Sequence, residues 1–290
     1  MKAWKTGAVL FAAAAIVLTG CSKDNGGNEA KEASANGTAA AQTNETSSAP
    51  DLTQASADYR AYGIEQCDQF ILETEKFVKA VKDGDIDTAK ALYAPTRMYY
   101  ERIEPIAESL GDFDPNIDAR ENDVPDADWR GFHRIEKSLW VDNKTDGMGE
   151  FADRLLSDVQ SLRALMETVE VDSTLLVTGA VELLNEVSSS KVTGEEERYS
   201  HTDLYDFVAN VEGAKKIYEL LKPALNAKDA ELEQQIGERF TDLEGLLAKY
   251  KSGDGYVLYT DLKEADTTSL SQALDALAEP LSQMGTILEA

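Results

Sequence analysis

The sequence predicts an all-α fold, an up-and-down helical bundle with enough helices for two bundle-like lobes. Apolar residues recur at helical spacing through nearly the whole chain after residue 56. No stretch combines sustained apolar–polar alternation with the turn dipeptides that are typical of β-hairpins. Short turns join the predicted helices, and antiparallel helices with short connections form up-and-down bundles.

Eight helices follow from this periodicity, with approximate bounds at residues 57–81, 85–110, 131–140, 151–169, 172–191, 201–221, 232–247 and 269–288. Asp85 is the expected N-cap of the second helix. Pro95 and Pro105 are expected to kink or break that helix, and Pro223 to end the helix of residues 201–221. Residues 111–128 are predicted to form a long acidic loop. The apolar run 256–259 fits a strand, but a single strand cannot form a sheet.

The N-terminus has the pattern of an export signal. Lys2 and Lys5 precede a short apolar run over residues 7–18, and Leu-Thr-Gly stands directly before Cys21. This arrangement resembles the lipobox of bacterial lipoproteins, in which the cysteine becomes the lipidated first residue. The apolar run is short for a bilayer span. We therefore expect a lipoprotein signal peptide over residues 1–20, a lipid on Cys21 and a location on the extracytoplasmic face of the cell membrane.

A change of composition separates this signal from the helical part of the chain. Residues 22–50 contain no aromatic side chain and no aliphatic side chain larger than alanine. Such a stretch cannot bury enough apolar surface to fold. Residues 21–55 are therefore predicted to be the lipidated cysteine and a disordered, flexible tether, and residues 56–290 the folded domain. Cys67, left without a partner, is expected to be a small buried thiol.

The charge balance is strongly acidic, with 54 Asp plus Glu against 28 Lys plus Arg and a net charge of −26. Because phosphate contacts require a basic surface, no nucleic-acid partner is expected. The acidic excess by itself indicates solubility rather than a particular function.

The chain has two histidines, His133 and His201. Glu136 follows His133 by three residues, which places the imidazole and the carboxylate on one face of a helix. That pair is a suitable start for a metal site with nitrogen and oxygen ligands. The spacing fits equally well an arrangement in which Glu136 faces solvent and His133 packs or caps the helix. Residue spacing by itself leaves both interpretations open.

Four phrases of the sequence closely resemble the imelysin-like domain of the EfeO/EfeM proteins: APTRMYYERIEPIAE (94–108), IDARE (117–121), GFHRIEK (131–137) and RYSHTDL (198–204). Those proteins are periplasmic or lipid-anchored components of a bacterial elemental iron uptake system. The resemblance runs from about residue 57 to the C-terminus. It implies two four-helix-bundle lobes with a metal site at the His-x-x-Glu motif. The chain resembles the single-domain form, without a preceding cupredoxin-like domain.

By this resemblance His133 and Glu136 take the ligand roles of the motif. The other candidate metal ligands share an acidic or imidazole group and lie in or near the matching phrases: Asp153, Glu196 and His201, with Glu101 and Glu104 as additional ligands. Such a site suits ferrous or ferric iron, and zinc, manganese or copper would also be accepted. No thiolate is expected near it, which argues against a structural zinc knuckle.

The resemblance implies a lipid-anchored protein that captures iron outside the membrane and delivers it to a permease, alongside a haem-peroxidase component of the same system. Two alternatives stay open. One is an imelysin-like metallopeptidase in which Glu136 activates a metal-bound water, although the sequence lacks both His-Glu-x-x-His and Gly-x-Ser-x-Gly. The other is a protein that binds acidic polysaccharide, which the net charge opposes unless a local basic cleft exists.

Overall fold

The computed structural model of the protein describes residues 52–107, 110–189 and 191–289. In chain order its helices are α1 (Leu52–Asp83), α2 (Ile86–Glu101), α3 (Glu104–Ala107), α4 (Phe113–Ile117), α5 (Phe132–Trp140), α6 (Gly149–Met166), α7 (Ser173–Ser189), α8 (Asp203–Lys228), α9 (Ala230–Leu247) and α10 (Glu264–Glu289). Two short strands, β1 (Lys251–Ser252) and β2 (Gly255–Tyr256), form an antiparallel hairpin with Lys251 opposite Tyr256. The all-α prediction is confirmed.

The first lobe consists of α1, α2, α5 and α6. Helix α1 packs against α2 and α6, and α5 contacts both α2 and α6. Buried aromatic rings hold α5 in place, because the ring centroid of Phe132 lies 5.8 Å from that of Phe70, 5.5 Å from Phe77 and 5.9 Å from Tyr93. Each such side chain stabilises the fold by roughly 1.5–3 kcal/mol when fully buried. Since Phe132 directly precedes His133, this packing also sets the position of the histidine.

The second lobe consists of α7, α8, α9 and α10. Helix α7 packs against α8 and α10, and α9 packs against the same two helices. Its core is mainly aliphatic, with Leu184, Ile217, Leu243 and Leu277 fully buried. The two predicted bundle-like lobes are therefore both present.

The lobes meet where α2 packs against α8 and α3 packs against α7. At Gly213 on α8, an added Cβ would lie 2.3 Å from the backbone carbonyl oxygen of Arg102, so only glycine permits this approach. The close packing brings the end of α2 beside the loop that leads into α8. Buried charged side chains gather at this junction.

Helix boundaries follow both capping side chains and tertiary packing. Asp85 accepts a hydrogen bond from the backbone N–H of Thr88 at 3.1 Å, which confirms it as the N-cap of α2. Asp229 caps α9 in the same way, accepting from the N–H of Leu232 at 2.9 Å. The prediction of a break near Pro105 is also confirmed, because α2 ends at Glu101 and α3 begins at Glu104.

The prediction that Pro223 ends its helix is wrong, because α8 continues through it to Lys228. Helix α2 also continues through Pro95, so the predicted kink or break is not a break. An interior proline removes one hydrogen bond and costs about 3 kcal/mol. In α8 the neighbouring side chains of Leu221 and Leu225 are fully buried, so packing offsets that cost. Other differences are smaller: α1 begins at Leu52, α10 begins at Glu264, and the predicted acidic loop contains α4.

The predicted signal peptide (1–20) and Cys21 lie outside the described residues, and the predicted tether (21–55) is described only from Leu52, where α1 has begun. Among the described helices, none combines the length and the apolar character that crossing a bilayer requires. Cys67 is a buried free thiol on α1, and burial raises its pKa to about 12.

Candidate metal centre

Gly131 determines how α5 enters the site. It adopts a φ of 89°, and an added Cβ would lie 2.3 Å from the carbonyl oxygen of Ile117. This contact holds the segment after α4 against the start of α5. As a result Asp118, the residue after Ile117, lies beside His133 although fifteen positions separate them in the sequence.

His133 is 1 % exposed and has a different environment at each ring nitrogen. Nδ1 lies 3.1 Å from Glu136 Oε2 and 3.4 Å from the Tyr93 hydroxyl. Nε2 finds no hydrogen-bond partner among the described residues, but it lies 3.5 Å from Asp118 Oδ1 and 3.7 Å from Glu196 Oε1. Hydrogen bonding at Nδ1 therefore holds the ring, while Nε2 points toward two carboxylates.

Glu136 is fully buried and both of its oxygens are engaged. Oε2 faces His133, while Oε1 accepts the backbone N–H groups of Tyr199 at 3.0 Å and Ser200 at 2.7 Å. Burial raises the pKa of Glu136, but the hydrogen bond and charge of His133, with the N–H of Ser200, outweigh burial and lower it. The carboxylate thus ties the segment before α8 onto α5.

Arg97 of α2 lies fully buried among the same acids. Its Nη1 donates to Asp118 Oδ1, and its Nη2 donates to Glu101 Oε1 at 2.6 Å. Nη2 is also 3.9 Å from Glu196 Oε1. Nε lies 2.5 Å from Glu197 Oε1. A single guanidinium therefore contacts several carboxylates around His133.

The charges of these groups shift one another's pKa values. Burial and Arg97 lower the pKa of His133, but Asp118, Glu136 and Glu196 outweigh them and hold it well above the usual value. The pKa of Asp118 is lowered, because Arg97 and His133 together exceed the effect of burial. Ionised carboxylates beside an imidazolium are the electrostatic result of this arrangement of side chains.

The two adjacent glutamates before α8 behave differently. Burial raises the pKa of Glu196, but Lys191 and His133 outweigh it and lower the pKa to about 2. Burial raises the pKa of Glu197 to about 8, with the charge of Glu136 acting in the same direction and Arg97 opposing it. Near neutral pH one glutamate is therefore ionised and its neighbour largely protonated.

Two sets of side chains in the described part of the chain bring potential ligand atoms within 4.8 Å of one another: Asp118, His133 and Glu196, and His133, Glu136 and Glu197. The first set fits an ion better. Tetrahedral ligands about 2.1 Å from a metal lie about 3.4 Å apart, close to the separations at His133 Nε2, and that nitrogen has no competing hydrogen bond. The donors are nitrogen and oxygen, which suit iron, zinc, manganese and copper.

The structure brings only some of the sequence-predicted ligands together. His133, Glu136 and Glu196 share the centre. Asp153 lies on the surface of α6, where its carboxylate pairs with Lys82 Nζ at 2.6 Å and its side chain is 57 % exposed. His201 is half-buried with a left-handed φ of 58°, its carbonyl accepts the N–H of Tyr259, and it belongs to neither set.

Glu101 and Glu104 form a second buried cluster with a lysine and an asparagine. Lys191 Nζ lies 2.7 Å from Glu104 Oε1 and 3.3 Å from Glu101 Oε2. Asn210 Nδ2 donates to Glu101 Oε2 at 2.9 Å and to Glu104 Oε2 at 2.6 Å. Burial and Glu101 raise the pKa of Glu104 despite Lys191. Glu101 links this cluster to the centre through Arg97.

Sequence reasoning missed Asp118, Glu197 and the buried cation Arg97. Asp118 and Arg97 stand inside the phrases IDARE and APTRMYYERIEPIAE, and Glu197 is adjacent to a predicted ligand. The phrases were therefore the available signal. Spacing along the chain could not show that these three residues face one imidazole.

The fold and this centre define a class of protein: a helical protein of two bundle-like lobes with a buried cluster of one imidazole and several carboxylates at their junction. The chain belongs to the imelysin family, whose model matches residues 55–284. The resemblance predicted from the four phrases is confirmed.

Among its relatives are EfeM/EfeO family lipoproteins. The chain is 46 % identical to one from Staphylococcus haemolyticus over 285 residues, covering 97 % of this chain and 98 % of the relative. It is 48 % identical to one from Staphylococcus aureus strain NCTC 8325, covering 82 % and 86 %. The fold matches a crystal structure described as an iron-regulated protein A precursor from Parabacteroides distasonis, with a TM-score of 0.67, 15 % identity and coverage of 84 % and 97 %.

Proposed function

We propose that this protein is a component of an iron-uptake system that binds a metal ion at the His133 centre and delivers it to a membrane permease. The observation that carries the proposal is the environment of His133 Nε2, a buried nitrogen without a hydrogen bond that faces Asp118 Oδ1 and Glu196 Oε1. The relatives of this chain are named lipoproteins, and it belongs to the same family. Both facts support the proposal that the protein lies outside the cytoplasm, anchored to the cell membrane through Cys21.

Iron is the proposed cargo, as ferrous or ferric ion. Two carboxylates and one imidazole are hard and borderline ligands, which iron accepts, and zinc or copper would compete for them. Once His133 has lost its proton, the three carboxylates with lowered pKa values, Asp118, Glu136 and Glu196, outnumber the two buried cations Arg97 and Lys191. An incoming cation would therefore find a surplus of negative charge, which favours its binding.

The proposed mechanism is coordination followed by transfer, with no covalent step. Because the centre is buried, an ion enters only when a neighbouring segment moves, and the proposed segment is that of Tyr199 and Ser200, which two hydrogen bonds hold to Glu136. Binding at Nε2 requires the imidazolium of His133 to lose a proton, so uptake is expected to release protons. Delivery to the permease would reverse these steps. A haem-peroxidase component of the uptake system is the further proposed partner.

Metal titration tests the site. Protein purified in detergent would be titrated with ferrous ion without oxygen, and with ferric citrate, zinc and copper, for wild type, His133→Ala and the matched control His201→Ala. We expect His133→Ala to lose one bound ion and His201→Ala to keep it. Equal stoichiometry and affinity in His133→Ala would overturn the assignment.

The hydrolase alternative finds less support in this geometry. His133 is 1 % and Glu136 0 % exposed, so a polypeptide substrate does not reach them in this conformation. Glu136 Oε1 already accepts two backbone N–H groups, which leaves it poorly placed to activate a water. Cleavage of casein that is abolished by Glu136→Ala would favour the peptidase instead.

A further inference from the structure

Arg97 contacts the same oxygen atoms that face the unbonded nitrogen of His133. Its Nη1 donates to Asp118 Oδ1, and its Nη2 lies 3.9 Å from Glu196 Oε1. Those two oxygens are 3.5 Å and 3.7 Å from His133 Nε2. An ion held by Asp118, His133 and Glu196 would therefore compete with the guanidinium for both carboxylates.

The guanidinium has other acceptors within reach on its opposite side. Its Nε lies 2.5 Å from Glu197 Oε1 and 3.3 Å from Asp206 Oδ1, but neither contact has hydrogen-bond alignment. Asp206 is 1 % exposed, and within the described part of the chain neither of its carboxylate oxygens has a hydrogen-bond partner. Nη2 meanwhile keeps Glu101 Oε1 at 2.6 Å.

We propose that Arg97 is an internal counter-ion that exchanges with the metal: it holds Asp118 and Glu196 while the centre is empty and turns toward Glu197 and Asp206 when an ion binds. This inference rests on the proposed function and deepens it. Arg97 acts as a positioning residue and a tuner of affinity, and it is not itself a ligand.

The physical reason lies in the cost of unpaired buried charge. Without a metal, Asp118 and Glu196 would be carboxylates in a buried site, which is strongly unfavourable unless a cation pairs with them. Arg97 provides that cation whenever no ion is bound. When an ion is present, the same positive charge lies a few ångströms away and weakens its binding. A protein that must give up its cargo gains from both effects, because the arginine replaces the departing ion.

Arg120 offers a matched control. Its Nη1 donates to the other oxygen of Glu196, Oε2, at 3.0 Å from a partly exposed position, and it also pairs with Asp123. Arg97→Gln and Arg120→Gln each remove one guanidinium from Glu196. Only Arg97→Gln also removes the cation that shares Asp118 Oδ1 and Glu196 Oε1 with the proposed ion.

The test compares zinc and gallium(III), a stand-in for ferric iron that undergoes no redox change, in full-length protein in detergent. We expect Arg97→Gln to lower the melting temperature of the metal-free protein and to bind zinc at least about tenfold more tightly than wild type. Arg120→Gln should change the zinc affinity by less than about threefold, because its charge lies at a more exposed edge. Equal or weaker zinc binding by Arg97→Gln would overturn the exchange.

A second measurement on the wild-type protein applies even if Arg97→Gln fails to fold. The Nε–H signal of Arg97 can be assigned in a ¹⁵N–¹H spectrum from its contacts with the rings of Tyr93 and Phe132, whose centroids lie 5.9 Å and 5.7 Å from Cζ. Zinc and gallium(III) should shift this signal as the guanidinium changes partners. A signal that does not move when the site is fully occupied would overturn the exchange. If wild type and His133→Ala bind the same number of ions with the same affinity, the proposed function itself is overturned.

Discussion

Nδ1 of His133 lies 3.1 Å from Oε2 of Glu136, one helical turn away, and the other oxygen of Glu136 is held by two backbone N–H groups. A carboxylate fixed in this way orients the ring and leaves Nε2 for a metal. Glu136 is therefore expected to act through His133 rather than as a direct ligand of an ion at Nε2.

This relationship predicts a graded response to substitution. Glu136→Gln should weaken zinc or iron binding by roughly 10- to 100-fold, as loss of a partner that orients a ligand does. His133→Ala should remove the site. Glu195→Gln, a charge change at an exposed neighbour of Glu196, serves as the control and should leave the affinity unchanged. Competition with a chromophoric chelator measures all three, and wild-type affinity in Glu136→Gln would refute the orienting role.

The segment whose N–H groups hold Glu136 is itself held by the side chain of Tyr199. Its hydroxyl donates to Glu121 Oε2 at 2.5 Å, and the neighbouring Arg198 donates to the backbone carbonyl of Glu121 at 2.7 Å. Tyr199→Phe removes the first bond and should make opening easier. Because such a bond contributes about 0.5–1.5 kcal/mol, we expect the rates of zinc binding and release to rise together by roughly two- to tenfold.

Stopped-flow mixing of Tyr199→Phe with zinc and then with a chelator measures both rates. The equilibrium affinity should stay nearly constant, since no proposed ligand changes. Tyr250→Phe is the matched control, because Tyr250 makes a similar hydrogen bond to Asp266, which is not among the acids of the centre. A change confined to the release rate would argue against a role in gating.

The metal-free protein should lose stability as pH rises from about 5 to 8. Burial raises the pKa of Glu197 from 4.5 to about 8, and neighbouring carboxylates hold the pKa of His133 above 6.5. The folded state therefore binds more protons than the unfolded state in this window, so the free energy of unfolding falls with rising pH. The pKa values of Asp118 and Glu196 are lowered, so these two groups change the free energy of unfolding only in more acidic solution.

Urea unfolding in the presence of a chelator at pH 5.5, 6.5 and 8 measures this slope. Glu197→Gln should make the slope shallower without abolishing it, because the amide does not titrate while His133 still does. Glu195→Gln should leave it unchanged. A free energy of unfolding that increases over this range in wild type would contradict the expected protonation of Glu197 and His133.

Lys191 should be essential to the stability of the second cluster. Its ammonium is the cation within 3.3 Å of both Glu101 and Glu104, and all three side chains are buried. Lys191→Met leaves Glu104 without a cation, while Glu101 keeps its contact with Arg97, and should destabilise the protein by about 3–5 kcal/mol. Lys222→Met is the control. It removes the ion pair between Lys222 and Glu233, in which the lysine side chain is 51 % exposed, and should cost under about 1 kcal/mol.

The double variant Lys191→Met with Glu104→Gln gives an independent check by urea unfolding. Removing one of the two acids should restore part of the lost stability, because fewer charges are then buried without a partner. No restoration would mean that the lysine stabilises the fold through packing of its aliphatic chain.

The number of bound ions in Glu104→Gln also tests whether Glu101 and Glu104 contribute an additional metal site.

Local physical chemistry in the sequence was enough to predict the eight longest of the described helices and the first half of the centre. Apolar residues at helical spacing define the buried faces of α1, α6 and α9, and the spacing of His133 and Glu136 puts them on one face of α5. Both predictions depend only on interactions within a few residues. Where a local rule competed with packing, as at Pro223 in α8, the local rule gave the wrong boundary.

Only the tertiary structure decided which groups surround His133. Arg97 comes from α2, Asp118 from the segment after α4, and Glu197 from the segment before α8. The two N–H groups that hold Glu136 belong to residues 63 and 64 positions further along the chain. Such contacts depend on how the lobes pack, at Gly213 and around Phe132, and residue spacing carries no information about them. The sequence alone therefore determined a helical protein with an imidazole–carboxylate pair, and packing of the lobes turned that pair into a buried, charge-compensated centre.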